Sequence, residues 1–276
     1  MSESVPHDVL VGGCRVRLVD AGPRDAPPML LLHGGHGGWR HWVANIPALA
    51  LHFRAVAPDM PGFGDSGDLP EPGVEALAAA LGELIDTLSL KHVTAMGFSF
   101  GTLVTVALAL QRPDTVARVM LINPPGTGAR SPVARQHQEQ IAAIARAQGA
   151  RAGVVQTLQR LLLRDHSLID EDTINAALQM AQQMRFYTRD ISRGAQLLPQ
   201  IEKLTQPLQV LIGACDPHQN HELVERPARL RAACRGEDVA TVVPGAAHWL
   251  QRDRADWFNQ RLAAFARGTP HQETNP

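Results

Sequence analysis

One serine in this chain stands where it could act as a nucleophile. Ser99 is the centre of Gly97-Phe98-Ser99-Phe100-Gly101, a G-x-S-x-G pattern. An apolar run, His92 to Met96, precedes it, and a run of small and apolar residues, Thr102 to Leu110, follows. Strand, sharp turn and helix is the context in which this pattern lifts a serine hydroxyl clear of a sheet. Glycines at 97 and 101 remove side chains where strand and helix crowd each other. The helix start behind Ser99 favours negative charge as it develops. Such a serine needs a base to take its proton and a group to orient that base. His248 lies just past one strand pattern, in Val243-Pro-Gly-Ala-Ala-His248-Trp. Asp216 lies just past an earlier one, in Leu211-Ile-Gly-Ala-Cys-Asp216-Pro. At the end of the sixth strand, where an acid could also stand, the chain has Asn123, which favours Asp216. Ser99, His248 and Asp216 together could attack an acyl carbonyl.

That chemistry also needs donors for the oxyanion. One is the backbone N–H of Phe100, directly after the nucleophile. The other is expected from the loop after the third strand, His33-Gly34-Gly35-His36-Gly37-Gly38-Trp39, with Gly35 or His36 as the donor. Its glycines let the backbone approach a bound oxygen. The loop carries neither phosphate-binding pattern, G-x-x-x-x-G-K-[ST] or G-x-G-x-x-G. Nucleotide binding is therefore not expected, and the reaction needs no cofactor.

The elements that must position these groups alternate in type. Strand patterns fall at Asp8–Val11, Cys14–Val19, Pro28–Leu32, Phe53–Ala57, His92–Met96, Arg118–Ile122, Leu208–Ile212 and Val239–Val243. The first two read as a hairpin around Gly12-Gly13. Helical patterns fall at about 39–51, 74–89 and 101–111. Strands alternating with helices predict an α/β fold, an eight-stranded mostly parallel sheet with helices on both faces. Residues 130–198 carry no strand pattern. They predict helices at Arg135–Gln148, Ala152–Leu163, Asp172–Met184 and Phe186–Leu198. The expected organisation is a core from 1–129, a helical insertion at 130–198, the rest of the core at 199–268, and a flexible tail at 269–276.

Bulk properties exclude several functions. The chain has 276 residues, 45% hydrophobic and 19% charged, with a net charge of −1. That balance gives no general pull toward nucleic acid or anionic membrane. It holds no run of about 18 apolar residues, so no membrane span is expected. Met1 to Asp8 lack the basic and apolar regions of a signal peptide, so the expected location is cytoplasmic. Cys14, Cys215 and Cys234 lie far apart and fit no metal-ligand spacing, so no metal is expected. The expected partner is a small-molecule substrate. A homo-oligomer through contacts between the insertions is compatible with the sequence.

His33-Gly34-Gly35, Pro58-Asp59-Met60-Pro61-Gly62-Phe63-Gly64-Asp65-Ser66, Gly97 to Gly101, Asp216 and His248 occur in this order. Together they resemble the α/β-hydrolase fold family over about residues 8–268. The order Ser99, Asp216, His248 is the order of that family. The resemblance implies a serine mechanism and makes the insertion a lid over the pocket. A haloalkane dehalogenase or epoxide hydrolase of this fold would need an aspartate nucleophile, which Ser99 is not.

A narrower resemblance points to meta-cleavage-product hydrolases, which split a carbon–carbon bond in vinylogous 1,5-diketones. It rests on the glycine-rich His33-to-Trp39 loop and on His248-Trp249-Leu250-Gln251, Ala255-Asp256 and Phe258-Asn259. In that subfamily a lid arginine helps hold the acidic substrate. Arg185, Arg189 and Arg193, at i, i+4 and i+8, would share one helical face here. Phe98 stands where that subfamily usually has Asn, which also fits a plain carboxylesterase. Trp249, Gly34, Phe98, Arg185 and Arg189 are the expected substrate contacts, with Phe186 and Tyr187 as further walls. The leading expectation is hydrolysis of a small, largely apolar carboxylic ester. The alternatives are carbon–carbon hydrolysis and a low-turnover ligand-binding protein.

Overall fold

Gly12 and Gly13 both take positive φ, 54° and 82°, the handedness that a two-residue hairpin turn demands. They join β1 (His7–Val11) to β2 (Cys14–Ala21), with Val11 opposite Cys14. The computed structural model describes residues 5–234 and 239–269. Six strands follow: β3 (Pro28–Leu32), β4 (Arg54–Pro58), β5 (Val93–Phe98), β6 (Val116–Ile122), β7 (Leu208–Gly213) and β8 (Ala240–Val243). They form one sheet in the order β1-β2-β4-β3-β5-β6-β7-β8. β2 pairs antiparallel with β1 and β4, and all the other pairs are parallel. β4 and β5 are buried along their whole length, as strands covered on both faces must be.

Helices α2 (Val74–Thr87) and α3 (Gly101–Gln111) cover one face, packing Leu81, Leu84 and Val104 onto Leu30, Val56 and Ala95. On the other face α1 (Ile46–Leu49) and α11 (Ala255–Arg267) bring Leu49, Phe258 and Leu262 onto Met29, Leu31 and Met96. Two more helices, α9 (Glu225–Cys234) and α10 (Leu250–Asp253), flank β8. The expected helix over 39–51 resolves into a 3-10 turn, Trp39–Trp42, and α1. Asn45 interrupts it because its side chain donates to Gln251 O and Asn259 Oδ1, both at 2.9 Å.

Between β6 and β7 the chain is helical. Its elements are α4 (Pro132–Gln148), α5 (Ala150–Thr157), a π-helical turn (Leu158–Leu162), α6 (Glu171–Gln182), α7 (Arg189–Gly194) and α8 (Leu198–Ile201). Ser131 caps α4 through Ala134 N–H, and Asp170 caps α6 through Thr173 N–H at 2.8 Å. The single helix expected over 186–198 does not form. The N–H groups of Arg185 and Phe186 both donate to Gly62 O, at 2.9 and 3.2 Å, which bends this stretch out of a helix. The Phe186 ring packs 6.0 Å from both Phe63 and Phe100. Arg185, Arg189 and Arg193 therefore share no helical face. α11 stops at Gly268, in the left-handed region at φ 69°. The expected tail beyond Thr269 lies outside the described residues. Among the described residues no helix is long and apolar enough to cross a membrane.

One buried ion pair ties β2 to β4. Asp20 accepts from Arg54 Nε at 3.0 Å and Nη2 at 2.8 Å, and the exposed Arg24 also reaches it. Burial pushes the Asp20 carboxyl up, but Arg54 and Arg24 outweigh it and leave it below the ordinary value. A depressed folded pKa stabilises above the unfolded value and is lost as pH falls through the folded one. Arg54→Ala is expected to cost about 2 kcal/mol in urea unfolding at pH 7, by leaving the Asp20 charge with only the exposed Arg24. The difference from the parent is expected to shrink below about pH 4, as that carboxylate protonates.

Candidate active site

β5 and α3 cross so closely at Ser99 that two positions admit no side chain. A Cβ on Gly97 would lie 2.4 Å from Thr105 Oγ1, and one on Gly101 would lie 2.4 Å from His33 O. The turn between them forces Ser99 to φ 51°, a left-handed conformation that an L-residue adopts at a cost. Ser99 N–H still donates to Ile122 O at 2.9 Å, so the sheet ladder runs to the nucleophile position. Ser99 O accepts from Thr102 N–H and Thr102 Oγ1, at 3.0 and 2.6 Å.

Three side chains from three loops then meet in line. Ser99 Oγ lies 2.9 Å from His248 Nε2, and His248 Nδ1 lies 2.7 Å from Asp216 Oδ2. Asp216 is fully buried, and its Oδ1 accepts from His218 N–H at 2.9 Å. Burial raises its carboxyl pKa, but the His248 imidazole and its hydrogen bond lower it further, so the group stays a carboxylate. Nδ1 of His248 therefore carries hydrogen toward Asp216, and Nε2 faces the serine hydroxyl with its lone pair. Burial and then His248 pull the neighbouring His218 to about 4, which keeps it neutral. Its ring centroid is 4.8 Å from that of His248. Asp216, His218 and His248 offer possible ligand atoms within 4.8 Å of one another. A cation bound there would compete with the two hydrogen bonds of His248.

Asn123 holds this arrangement from below. Its Oδ1 accepts from Gly213 N–H at 2.8 Å, and its Nδ2 donates to the carbonyls of His248 and Ala247, at 2.8 and 3.2 Å. One amide thus joins the end of β7, which leads to Asp216, to the loop of His248. The helical insertion holds the same loop from above. His248 N–H and Trp249 N–H donate to Leu161 O and Leu162 O, at 3.4 and 2.7 Å. The expected helix over 152–163 ends here in a π turn, Leu158–Leu162, whose last carbonyls have no partner within the helix.

The glycine-rich loop is fixed by His33 at its start and by His41 in the 3-10 turn that follows it. His33 is buried, and burial pulls it to about 4. Its Nε2 accepts from Met60 N–H at 2.9 Å, so its Nδ1 carries the hydrogen and donates to Gly34 O at 2.8 Å. His41 is held well below its ordinary value by burial and by the other imidazoles. Its Nδ1 accepts from Gly34 N–H at 3.2 Å. Asp59 pins the far end by accepting from Trp39 N–H at 2.7 Å and Asp65 N–H at 3.1 Å. Among the described residues no group accepts the N–H of Gly35 or of Phe100.

The expected substrate contacts fare unevenly. Gly34 has both backbone groups engaged, so it has no donor to offer a ligand. Phe98 and Trp249 are sealed against the His41 ring, at 5.2 and 5.0 Å, and Trp249 Nε1 donates to His41 O. His36 is exposed at the loop tip, its pKa lowered by surrounding protein atoms and then by Arg189. Arg185 turns away from Ser99. It ion-pairs with Asp68 at 2.8 Å and donates to the carbonyls of Gly64 and Ser66, clamping the insertion to the Gly62–Gly67 loop. Arg193 pairs with Asp190 at 3.7 Å and also reaches Gln138. Tyr187 is exposed, and Phe186 is half-buried against Phe63.

The profile of a family described as alpha/beta hydrolase fold matches residues 27–263. The chain belongs to that family. A carboxylesterase of Bacillus subtilis superposes with a TM-score of 0.75 at 20% identity, over 97% of this chain and 93% of its own. A 2-hydroxy-6-oxo-6-phenylhexa-2,4-dienoate hydrolase of Burkholderia cepacia is 26% identical over 269 residues, 91% of each chain. A 2-hydroxy-6-oxo-2,4-heptadienoate hydrolase of Pseudomonas putida is 37% identical, but over only 43% of this chain and 44% of its own length.

In this α/β-hydrolase four residues matter that the sequence pattern does not single out for these roles. They are His41, Asn123 as a bridge rather than a displaced acid, Asp59 as the loop's anchor, and Thr188, whose hydroxyl faces Gly35 O at 3.5 Å. A local signal exists only for Asp59, within the Pro58-to-Ser66 segment. Asn123→Ala leaves Gly213 N–H and two carbonyls without partners. It is expected to destabilise the α/β-hydrolase by about 2 kcal/mol in urea unfolding.

Proposed function

We propose that this α/β-hydrolase is a serine hydrolase of small carboxylic esters. The observation that carries the reading is the unbroken hydrogen-bond line from Ser99 through His248 to Asp216. Ser99 Oγ attacks the ester carbonyl while His248 Nε2 takes its proton. Asp216 holds the Nδ1–H and offsets the charge of the imidazolium. Phe100 N–H and a second loop N–H, of Gly35 or His36, donate to the oxyanion. His248 returns the proton to the departing alkoxide. A water, deprotonated by the same imidazole, then attacks the acyl-serine and releases the acid. No cofactor enters these steps.

An uncharged environment supports an apolar acyl group. Phe98 packs 5.1 Å from the His248 ring, and Phe186 packs 6.0 Å from the ring of Phe100, next to the serine in sequence. We take residues 130–198 as a lid, because the insertion contacts both the His248 loop and the Gly62–Gly67 loop.

One observation favours a second reading, carbon–carbon hydrolysis of an acidic dienone. Arg189 has no recorded ion-pair partner among the described residues, and its charge reaches His36 beside the oxyanion loop. A free guanidinium there suits a substrate carboxylate. The full-length relative from Burkholderia cepacia, a dienoate hydrolase by name, adds weight to it.

Turnover of p-nitrophenyl butyrate and of a 2-hydroxy-6-oxo-dienoate, measured side by side, separates the two. Fast ester cleavage with a negligible dienoate rate is the expected result. A dienoate rate far above the ester rate, lost in Arg189→Ala, would establish the second reading instead. Ser99→Ala is expected to lower kcat by about 10⁶-fold, and Asp216→Asn by about 10⁴-fold. Parent-like kcat in Ser99→Ala rules out the serine mechanism.

A further inference from the structure

We propose that His41 is a positioning residue that sets the second oxyanion donor, by holding the peptide planes on either side of Gly34. The inference rests on the serine mechanism above and assigns a part of it to a residue outside the triad.

Gly34 sits between two imidazoles with opposite roles. His33 donates to its carbonyl at 2.8 Å, and His41 accepts from its N–H at 3.2 Å. A peptide unit is planar and trans, so its C=O and N–H point in opposite directions. Fixing the Gly34 carbonyl toward His33 therefore fixes the Gly35 N–H, in the same plane, away from it. Fixing the Gly34 N–H sets the preceding plane, so neither dihedral of Gly34 is free to turn. Glycine at this position would otherwise wander over a wide range of φ and ψ. The bracket removes that freedom before substrate arrives, as preorganised donors require.

Tertiary structure has made room for His41 alone in this role. A Cβ on Gly37 would fall 2.1 Å from the His41 ring, so glycine there is what admits the imidazole. The ring is clamped edge-on by Phe98 at 5.2 Å and Trp249 at 5.0 Å, and its own carbonyl accepts from Trp249 Nε1 at 2.9 Å. Trp249 follows His248 directly, so the clamp on the loop and the catalytic base share one dipeptide. Burial keeps His41 neutral, and only a neutral imidazole can accept a hydrogen bond at Nδ1. Gly34 spends its own N–H on His41, so the loop's donor to the oxyanion lies beyond it, and the fixed Gly34–Gly35 plane aims the Gly35 N–H.

The test separates the acceptor from the bulk of the ring. His41→Asn places a carbonyl oxygen near the position of Nδ1; His41→Leu fills the space with no acceptor. The readouts are kcat and KM for p-nitrophenyl butyrate, and the inhibition constant of a butyl trifluoromethyl ketone. That ketone forms an oxyanion on the serine. His41→Leu is expected to lose about 100- to 1000-fold in kcat, with ketone affinity falling in parallel and KM little changed. His41→Asn is expected to recover most of that loss. Near-UV circular dichroism identifies variants that fold, and His41→Ala replaces His41→Leu if the latter does not. Equal losses in folded Asn and Leu variants, or parent-like kcat in both, would overturn the role of His41. Ser99→Ala run alongside tells the failures apart. Parent-like turnover there overturns the serine mechanism and this inference with it, whereas an inactive Ser99→Ala leaves any failure with His41.

Discussion

The backbone of Ser99 is the point on which the rest of the molecule turns. A left-handed serine at φ 51° is unfavourable alone, and it persists only because its surroundings over-determine it. Those surroundings are crowded. The start of α3 lies against the end of β3 with no room for a side chain at Gly101, and β5 lies against α3 with none at Gly97. Both contacts need a parallel sheet with its helix packed tightly behind it. β5 and β3 pair from Met29–Thr94 to Leu32–Gly97, so the loop after β3 and the turn after β5 leave the sheet side by side. That adjacency brings the glycine-rich loop to the serine.

A second constraint is electrostatic. His33, His41 and His218 lie around the serine within a largely apolar shell, and burial lowers the pKa of each. Three charged imidazoles packed so closely would repel one another. Kept neutral, they act as oriented donors and acceptors, fixing backbone without adding charge. Asp216 is the exception, held ionised despite full burial because His248 compensates it. The site thus holds the Asp216 carboxylate directly against the His248 ring.

The helical insertion contributes more than cover. Its π turn gives two carbonyls to the His248–Trp249 backbone, and Arg185 grips the Gly62–Gly67 loop. Asn123 meets the same histidine loop from the sheet side. His248 is thereby held between core and insertion, so movement of one is felt by the other.

Much of this was legible in the chain as text. The central strands showed as continuous apolar runs, because a strand buried on both faces must be apolar throughout, and the edge hairpin β1–β2 showed by alternation around Gly12-Gly13. Ser99, Asp216 and His248 were legible because turn chemistry and strand ends are local in sequence. The arginines at 185, 189 and 193 show where that reading stopped. Their spacing is helical, yet Gly62 O captured the backbone at 185 and 186 and broke the helix. Likewise nothing near position 41 says that its imidazole will meet Gly34 N–H, and nothing near 161 says that its carbonyl will meet His248. The sequence by itself determined the element order, the sharp turn at Ser99 and the residue types at 99, 216 and 248, since each depends on neighbours a few residues away. Only the tertiary structure decided the neutral histidines, the Asn123 bridge, the π turn and the direction of Arg185. Each of those is a hydrogen bond between distant segments, and such a bond exists only once the sheet has brought the segments together.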